Sequence, residues 1–264
     1  MPDNVGVLRD RLREMDRVVV AFSGGADSAF LAWMAHDTLG RDASLAVTAV
    51  SASLAGEERD DCAALAAEWG LRWTAVDTHE LDRPAYVANG LDRCAHCKTE
   101  LMDVLAPVAA AERATVVLGV NLDDLSDHRP GQAVAAERQA RFPLVDAGFT
   151  KADVRAASRA LGLRTWDKPA AACLASRVPH GVPVTLTTLQ RVADAEAGVR
   201  ALGYRQVRVR HYGDVARLEL DVPDLERAVA HRREVVAAVK AAGYRYVTLD
   251  LEGFRSGNLS VPER

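Results

Sequence analysis

Two groups of residues in this chain have the types and spacing needed for chemistry. The string SGGADS at residues 23–28 combines two glycines with hydroxyl and carboxylate side chains. Glycines let the backbone turn sharply, so that its N–H groups and a following helix N-terminus can bind an anion. The second group is RCAHCK at residues 93–98, a CxxC pair, together with Cys173 further along the chain. These residues predict phosphate binding at the first group and thiolate chemistry at the second.

The four cysteines divide into three candidates for chemistry and one for the core. Cys62 lies in the Ala-rich segment CAALAAEWG and is predicted to be a small buried hydrophobe. Cys94 and Cys97 begin a predicted helix, where a thiol becomes a better ligand or nucleophile. With Cys173 they suit an iron–sulfur cluster with one open iron, whereas a tetrahedral zinc site needs a fourth ligand. His96 is a candidate fourth ligand, although a solvated loop histidine is the commoner case.

Alternating strand and helix patterns must position these groups. Helical patterns separate the strands, and SGGADS directly follows the first strand and opens a helix. This alternation predicts a parallel sheet covered by helices on both faces, with the ligand beyond the carboxyl ends of the strands. The predicted strands of this part are residues 18–22, 45–50, 72–76 and 116–120, and its clearest helices are residues 59–69 and 100–112.

The chain is predicted to be an α/β protein with a second, smaller α+β domain. Residues 1–170 form the parallel-sheet domain, residues 171–185 a cysteine-bearing linker, and residues 186–264 a domain for substrate binding and oligomerisation. The segment WDKPAAACLASRVPHGVPVT at residues 166–185, which includes this linker, holds three prolines and shows little helical or strand period. Such a segment within a compact protein is typical of functional regions. The smaller domain is predicted to contain helices at residues 186–202 and 225–242, strands at residues 206–211, 215–220 and 245–249, and a hairpin turn at residues 212–214.

Composition excludes several classes of protein. The 33 basic and 37 acidic residues give a net charge of −4, which excludes a strongly basic nucleic-acid binder. The chain is 49% hydrophobic and 27% charged, as soluble globular proteins are. No apolar run approaches the ~20 residues of a membrane helix, and the polar N-terminus is unlike a signal or transit peptide. Four cysteines are too few for a disulfide scaffold, so we expect a cytoplasmic protein without a membrane partner.

The SGGADS string resembles the pyrophosphate (PP) loop of the N-type ATP pyrophosphatases. It lies on a strand-to-helix junction and lacks the GxxxxGK[ST] of a Walker A loop. The resemblance implies an adenine nucleotide alpha hydrolase-like fold, ATP cleavage between the α- and β-phosphates, adenylation of a substrate oxygen and a need for Mg2+. Backbone amides and the hydroxyls of Ser23 and Ser28 would hold the phosphates. The alternative is an ordinary glycine turn, with Asp27 and Ser28 in the first turn of a helix.

Four further segments resemble the LarE family of ATP-dependent sulfurtransferases, which make the nickel-pincer nucleotide cofactor of lactate racemase. They are ACLASRVPHGVPVT, GVNLDDLSDHRPG, VRVRHYGDVARLEL and YVTLDLEGFRSG. The resemblance implies that the carboxylates of pyridinium-3,5-biscarboxylic acid mononucleotide are adenylated and converted to thiocarboxylates. Family members with one active-site cysteine sacrifice its sulfur, and those with three carry a 4Fe–4S cluster whose open iron can bind sulfide. Cys94, Cys97 and Cys173 match the three-cysteine type, with a sacrificial Cys173 as the rival mechanism.

The resemblance also implies partners and site residues. We expect a homo-oligomer such as a hexamer, a small-molecule nucleotide substrate and a sulfide donor system. Asp27 and Cys173 are the predicted catalytic residues, and Cys94, Cys97 and Cys173 are the predicted cluster ligands. The residues predicted to bind ATP or substrate are Ser23, Gly24, Gly25, Asp27, Ser28, Ser51, Gly119, Asn121, Ser176, Arg177, Arg208 and Arg210.

Several of these assignments have plain structural alternatives. Arg208 and Arg210 alternate onto one face of a strand, where they can clamp a phosphate or simply form a solvated edge. Arg177 can grip a substrate anion or be an ordinary surface charge of the linker. Glu196 is a weaker candidate for a substrate contact.

The acidic loop at residues 123–127 has two possible roles. Asp123, Asp124 and Asp127 follow a predicted strand end, which is the ligand side of the sheet. They can hold Mg2+ or orient Arg129, or they can be turn and cap residues.

Two other functions compete with the sulfurtransferase. A tRNA thiolation enzyme also combines SGGxDS with CxxC and a further cysteine, but the net charge and the lack of Lys-rich patches disfavour it. A nucleotide-binding module that senses redox state without catalysis is disfavoured by the intact SGGADS string.

Overall fold

The computed structural model describes residues 4–125, 130–169 and 172–255, which fold into two compact units. The first unit comprises Met1–Glu80 and Asp92–Ala171, and the second comprises Leu81–Leu91 and Ala172–Arg264. Residues 81–91 thus fall inside the predicted first domain but belong to the second unit. None of the helices in the described ranges is long and apolar enough to cross a membrane.

The first unit is built on a four-stranded parallel sheet in the order β3-β2-β1-β4. This confirms the predicted α/β fold. The order reverses between β1 and β4, and the carboxyl ends at such a reversal are where open α/β sheets bind ligands. The strands are β1 (Val18–Ala21), β2 (Ser44–Val50), β3 (Trp73–Asp77) and β4 (Thr115–Leu118).

The helices and short 3-10 turns connect and cover the strands. The helices of the described ranges are α1 (Asn4–Arg13), α2 (Ala26–Leu39), α3 (Gly56–Glu68), α4 (Pro84–Val87), α5 (Arg93–Glu112), α6 (Leu122–Leu125), α7 (Pro130–Glu137), α8 (Pro143–Asp146), α9 (Lys151–Ala160), α10 (Leu186–Arg200), α11 (Leu225–Ala230) and α12 (Arg232–Ala241). The 3-10 turns are Glu80–Asp82, Leu174–Arg177 and Val222–Asp224.

Both faces of the parallel sheet are covered, as predicted. Val18 and Val20 of β1 pack into one core with α1, α2, α3 and α9. Val19 points to the opposite face and packs with α5 and α7. Because side chains alternate along a strand, burial of all three valines requires apolar layers on both sides.

The second unit has a three-stranded mixed sheet in the order β5-β6-β7, which confirms a smaller C-terminal α+β region. The strands are β5 (Val207–Tyr212), β6 (Val215–Leu220) and β7 (Tyr246–Leu249). The antiparallel pair β5–β6 is joined by a two-residue turn in which Gly213 has a φ of +61°. α10 and α12 bury Val199 and Val239 against this sheet. The helix predicted over residues 225–242 is divided at His231 into α11 and α12.

Hydrogen bonds of Asn89 hold residues 81–91 within the second unit. This side chain is completely buried, and its Nδ2 donates to the carbonyl oxygens of Pro179 and Val182, each at 2.8 Å. The backbone N–H of Gly181 donates in return to the Asn89 carbonyl at 3.0 Å. The predicted linker is likewise folded from residue 172 onward, because Leu174 of its 3-10 turn is buried.

Candidate active site

The SGGADS string forms the turn between β1 and α2. Gly24 has a φ of +68°, which favours glycine, and a Cβ there would lie 2.8 Å from the Cys62 Sγ. The Ser23 and Ser28 hydroxyl oxygens lie 3.0 Å apart at the start of α2. Gly25 is the N-cap and contributes no side-chain cap, so the first N–H groups of α2 remain for a ligand. Two hydroxyls beside an uncapped helix N-terminus form a suitable site for phosphate oxygens.

The carboxyl edge of the sheet brings further predicted residues to this loop. Gly119 follows β4, and a Cβ there would lie 2.8 Å from the Ser28 backbone nitrogen. Asn121 is completely buried and donates from Nδ2 to Asp27 Oδ1 at 3.2 Å. Ser51 follows β2, at the same edge, and its hydroxyl lies 2.8 Å from that of Ser53. The predicted nucleotide residues of the first unit therefore share one edge of its sheet.

Asp27 is fixed by a residue that sequence reasoning missed. Its Oδ2 pairs with the Lys151 ammonium at 2.5 Å, while Oδ1 accepts from Asn121. Lys151 begins α9, whose N-cap Thr150 forms a capping box with Asp153. The carboxylate of Asp27 is thus held at the N-terminus of α2 by a cation from another helix.

The acidic loop after β4 serves as a turn and cap. Asn121 Oδ1 accepts from the backbone N–H groups of Asp123 and Asp124 at 3.0 and 3.3 Å. Asp123 Oδ2 accepts from the Lys151 backbone N–H at 2.8 Å, which joins α6 to α9. Asp127 and Arg129 lie outside the described residues. Asp124 Oδ2 accepts from the Asn121 backbone N–H at 3.2 Å, so two of the three carboxylates bind backbone N–H groups, and Mg2+ binding stays a prediction.

Lys168 is the second residue in contact with the loop that sequence reasoning missed. Its ammonium donates to the Gly24 carbonyl at 2.9 Å and pairs with Asp61 Oδ2 at 2.5 Å. Arg164 pairs with the other Asp61 oxygen at 2.7 Å. Burial opposes ionisation of Asp61, but the hydrogen bonds from Lys168 and Arg164 outweigh it and lower the pKa of that carboxyl.

The rarity of lysine in this chain could have drawn attention to Lys151 and Lys168. The chain has only four lysines among its 33 basic residues, and Lys151 and Lys168 are two of them. Because lysine is rare in this chain, its four positions form a short set to inspect, and two of the four contact the loop.

Substituting Gly119 by alanine tests the close packing of β4 against the loop. The new Cβ would meet only backbone, within 2.9 Å of the Ser28 Cα, so the first turn of α2 must shift. We expect a loss of about 1–3 kcal/mol of unfolding free energy. Binding of ATP, measured by titration calorimetry, should also weaken. The matched control is Gly6→Ala in α1, where nothing lies within 4 Å, and unchanged ATP affinity in Gly119→Ala would contradict this packing role.

In the second unit, Cys173 combines a fixed backbone with an exposed thiol. Its carbonyl accepts from the Ser176 N–H at 2.9 Å and from Arg177 Nη1 at 3.0 Å. Arg177 Nη1 also donates to the Ala172 carbonyl at 2.5 Å. The thiol itself is exposed. This arrangement presents a sulfur from a rigid turn.

The predicted arginines of the second unit are buried. Arg177, Arg208 and Arg210 are each at most 5% exposed, so a solvated face and a surface linker charge are both wrong. Arg177 forms a two-point ion pair with Glu196 at 2.8 and 3.1 Å. Arg210 does the same with Glu219 at 2.9 and 2.8 Å, and also donates to the Ser176 carbonyl. These carboxylates orient the guanidinium groups.

Among the described residues, these arginines and their carboxylates form one group, which we call the arginine cluster. Its guanidinium groups belong to Arg177, Arg200, Arg208, Arg210 and Arg217, and its carboxylates to Glu196, Glu219 and Asp250. Burial and then the charges of Arg177 and Arg210 lower the pKa of Arg208 to about 10. Arg208 also stacks over the Phe254 ring at 4.4 Å. A bound anion would offset the mutual repulsion of Arg177, Arg208 and Arg210.

The other thiols lie in the first unit. Cys94 and Cys97 occupy the first turn of α5, where Cys94 is exposed and Cys97 is half-buried. The Cys97 thiol donates to Glu80 Oε1 at 3.9 Å. Cys62 is completely buried in the core, as predicted. Within the part of the chain that the structure describes, no three His, Cys, Asp or Glu side chains are grouped closely enough to bind a metal ion.

Known proteins match this chain over part or nearly all of its length. Residues 3–101 match the family described as NAD synthase. An uncharacterized protein of Synechocystis sp. is 46% identical over 256 residues, covering 96% of this chain and 95% of that protein. The pyridinium-3,5-bisthiocarboxylic acid mononucleotide synthase of Lactiplantibacillus plantarum is 38% identical over 250 residues, covering 94% of this chain and 91% of that protein. The chain belongs to the LarE family. It is an enzyme of the PP-loop class, an ATP-using, adenylating sulfurtransferase, as the sequence predicted.

A further relative is more distant. An uncharacterized protein of Methanocaldococcus jannaschii is 23% identical over 253 residues, covering 94% of this chain and 96% of that protein. The relatives span the second unit as well as the first, so the arginine cluster and the Cys173 turn lie within the shared length.

Proposed function

We propose that this enzyme adenylates the carboxylates of pyridinium-3,5-biscarboxylic acid mononucleotide and converts them to thiocarboxylates. The observation that carries the proposal is the 38% identity, over nearly the whole chain, to a protein named for synthesis of the bisthiocarboxylic acid mononucleotide. The arginine cluster supports it, because a substrate with a phosphate and two carboxylates needs an anion site besides the one for ATP.

Adenylation is assigned to the loop of the first unit. The hydroxyls of Ser23 and Ser28 and the first N–H groups of α2 bind the ATP phosphates. A substrate carboxylate oxygen attacks the α-phosphorus, the bond to the β-phosphate bridging oxygen breaks, and pyrophosphate leaves. Mg2+ would neutralise the phosphates, and Asp27, in the loop itself, offers a carboxylate of the kind that this ion prefers. Ser51, Gly119 and Asn121 line the same edge and are assigned to the nucleotide.

Substrate binding is assigned to the arginine cluster. Arg208 keeps its charge at neutral pH, because its lowered pKa of about 10 is still well above 7. Arg177 and Arg210 are already oriented by Glu196 and Glu219, so little side-chain entropy is lost when an anion binds. Ser176 places its hydroxyl beside Arg177, at 3.2 Å from Nη1.

Sulfur transfer is assigned to Cys94, Cys97 and Cys173. Two of these thiols share one helical turn, and two of the three are exposed, which suits the binding of a cofactor from solution. A 4Fe–4S cluster, when bound, supplies an open iron that can carry sulfide. The sulfur nucleophile attacks the acyl carbon of the adenylate, the carbon–oxygen bond breaks, and AMP leaves. The alternative is that Cys173 donates its own sulfur and becomes dehydroalanine.

The protein's setting is also part of the proposal. The enzyme works in the cytoplasm with a sulfide donor, because free thiols and an oxygen-sensitive cluster need reducing surroundings. A homo-oligomer such as a hexamer is proposed on the family resemblance alone.

Anaerobic purification separates the two sulfur routes. We expect about four iron atoms per chain with matching sulfide, loss of both in Cys94→Ala, and retention of both in the core control Cys62→Ala. The mass of the chain should stay unchanged after many turnovers. Loss of cluster absorbance in Cys94→Ala with activity intact, or a chain lighter by one hydrogen sulfide at Cys173, would overturn the cluster route.

A further inference from the structure

Lys168 places an ammonium group against the middle of the phosphate loop. The Lys168 Nζ donates to the Gly24 carbonyl at 2.9 Å, and a Cβ at Gly24 would lie 3.6 Å from it. The side chain is 25% exposed, so the ammonium is sheltered but still reached by solvent. It comes from a segment 144 residues away in sequence.

The ammonium has capacity for a ligand. An ammonium group has three N–H donors, and the Gly24 carbonyl and Asp61 take two of them. Lys168 and Arg164 lower the pKa of Asp61, and the ionised carboxylate in turn holds the Lys168 ammonium in place. Arg164 is tied in turn to Glu68 at 2.8 Å, which fixes the position of Asp61.

The loop itself supplies no cation. Its only charged side chain is Asp27, whose negative charge is already balanced by Lys151 at 2.5 Å. A polyphosphate on this loop therefore meets hydroxyls and backbone N–H groups, with no free positive side chain from residues 23–28. Other phosphate loops solve this problem with a lysine of their own.

We propose that Lys168 is the pyrophosphate-binding cation of this loop, with its free N–H directed to the β- and γ-phosphates of ATP. This inference rests on the proposed adenylation. As the bond between the α-phosphorus and the bridging oxygen breaks, the electron pair stays on the β-phosphate oxygen. A nearby ammonium stabilises that growing charge more than it stabilises ground-state ATP, so Lys168 contributes to the chemical step as well as to binding.

Ligand titrations of the full chain test this role directly. The probes are Mg2+-pyrophosphate and AMP, measured by calorimetry on Lys168→Met, Lys168→Arg and the matched control Lys240→Met on the exposed part of α12. We expect Lys168→Met to weaken pyrophosphate binding about tenfold, which corresponds to one charge-assisted hydrogen bond. AMP affinity should stay unchanged, because AMP lacks the β- and γ-phosphates. Lys168→Arg should restore part of the loss, and Lys240→Met should match the wild type.

Two results would overturn the assignment. Equal weakening of pyrophosphate and AMP would mean that Lys168 only packs the loop, and unchanged pyrophosphate affinity in Lys168→Met would mean that it does not contact the phosphates. Failure of the proposed function would look different. If the wild type forms no thiocarboxylate but Lys168→Met still weakens pyrophosphate binding selectively, the lysine assignment stands and the proposed substrate is wrong.

Discussion

Replacing Arg210 by methionine is expected to lower the unfolding free energy of the second unit by about 3 kcal/mol. The substitution removes both hydrogen bonds of the two-point pair and leaves the Glu219 carboxylate, which is completely buried, without its main partner. Arg217 lies 3.2 Å from Glu219 but is 31% exposed, so it compensates only in part. A buried charge without its partner keeps most of its desolvation cost, which is why the effect is large.

The chain's own aromatic residues allow this to be measured unit by unit. All four tryptophans, Trp33, Trp69, Trp73 and Trp166, belong to the first unit, and all five tyrosines, Tyr86, Tyr204, Tyr212, Tyr244 and Tyr246, belong to the second. Urea unfolding followed by the tyrosine signal therefore reports the unit that contains Arg210. Arg217→Met is the control and should cost about 1 kcal/mol or less. An Arg210→Met midpoint equal to that of the wild type would show that the pair is not what holds this sheet.

Substituting Cys173 by serine is expected to lower thiocarboxylate formation about a thousandfold, as removal of a nucleophilic or ligating group does. Release of pyrophosphate should continue, because the assigned ATP residues lie in the first unit, and AMP should appear only as water hydrolyses the adenylate back to the carboxylate. Serine keeps the size of the side chain, and the turn is held by backbone and Arg177 hydrogen bonds that do not use the thiol. The measurement is product mass together with pyrophosphate release under anaerobic conditions.

A relocated thiol provides the matched control. The double variant Cys173→Ser with Ser176→Cys moves the thiol from the N-cap of the 3-10 turn to a half-buried position within it, and it should not restore sulfur transfer. Ser176→Cys alone controls for loss of the Ser176 hydroxyl. Full activity in Cys173→Ser alone would contradict the assignment, and rescue by the relocated thiol would show that the position of the thiol on this turn does not matter.

Local sequence was enough for the loop and its sheet. SGGADS, the valines of β1 and the two-residue hairpin turn at Gly213 each determine structure through neighbours a few residues away. The hairpin even sets a register that sequence reasoning did not use, since pairing Tyr212 with Val215 places Arg208 opposite Glu219. Glu219 is thereby placed on β6 where it pairs with Arg210, two residues along β5 from Arg208.

Long-range partners were beyond reach. Asp27 meets Lys151 across 124 residues, and Asn89 anchors residues 81–91 through carbonyls about 90 residues away. No local period encodes such contacts. The folded structure of the predicted linker was also not foreseen. Leu174 and Ala175 are buried in a turn that is too short to produce a recognisable pattern.

The central claim is ATP-dependent conversion of carboxylates to thiocarboxylates, and one measurement tests it most directly. The full chain is incubated anaerobically with pyridinium-3,5-biscarboxylic acid mononucleotide, Mg2+-ATP and sulfide, and the substrate mass is followed with AMP and pyrophosphate. We predict one AMP and one pyrophosphate for each oxygen replaced by sulfur, and many such replacements per chain. Pyrophosphate release without any oxygen-to-sulfur exchange, or exchange without ATP, would contradict the account.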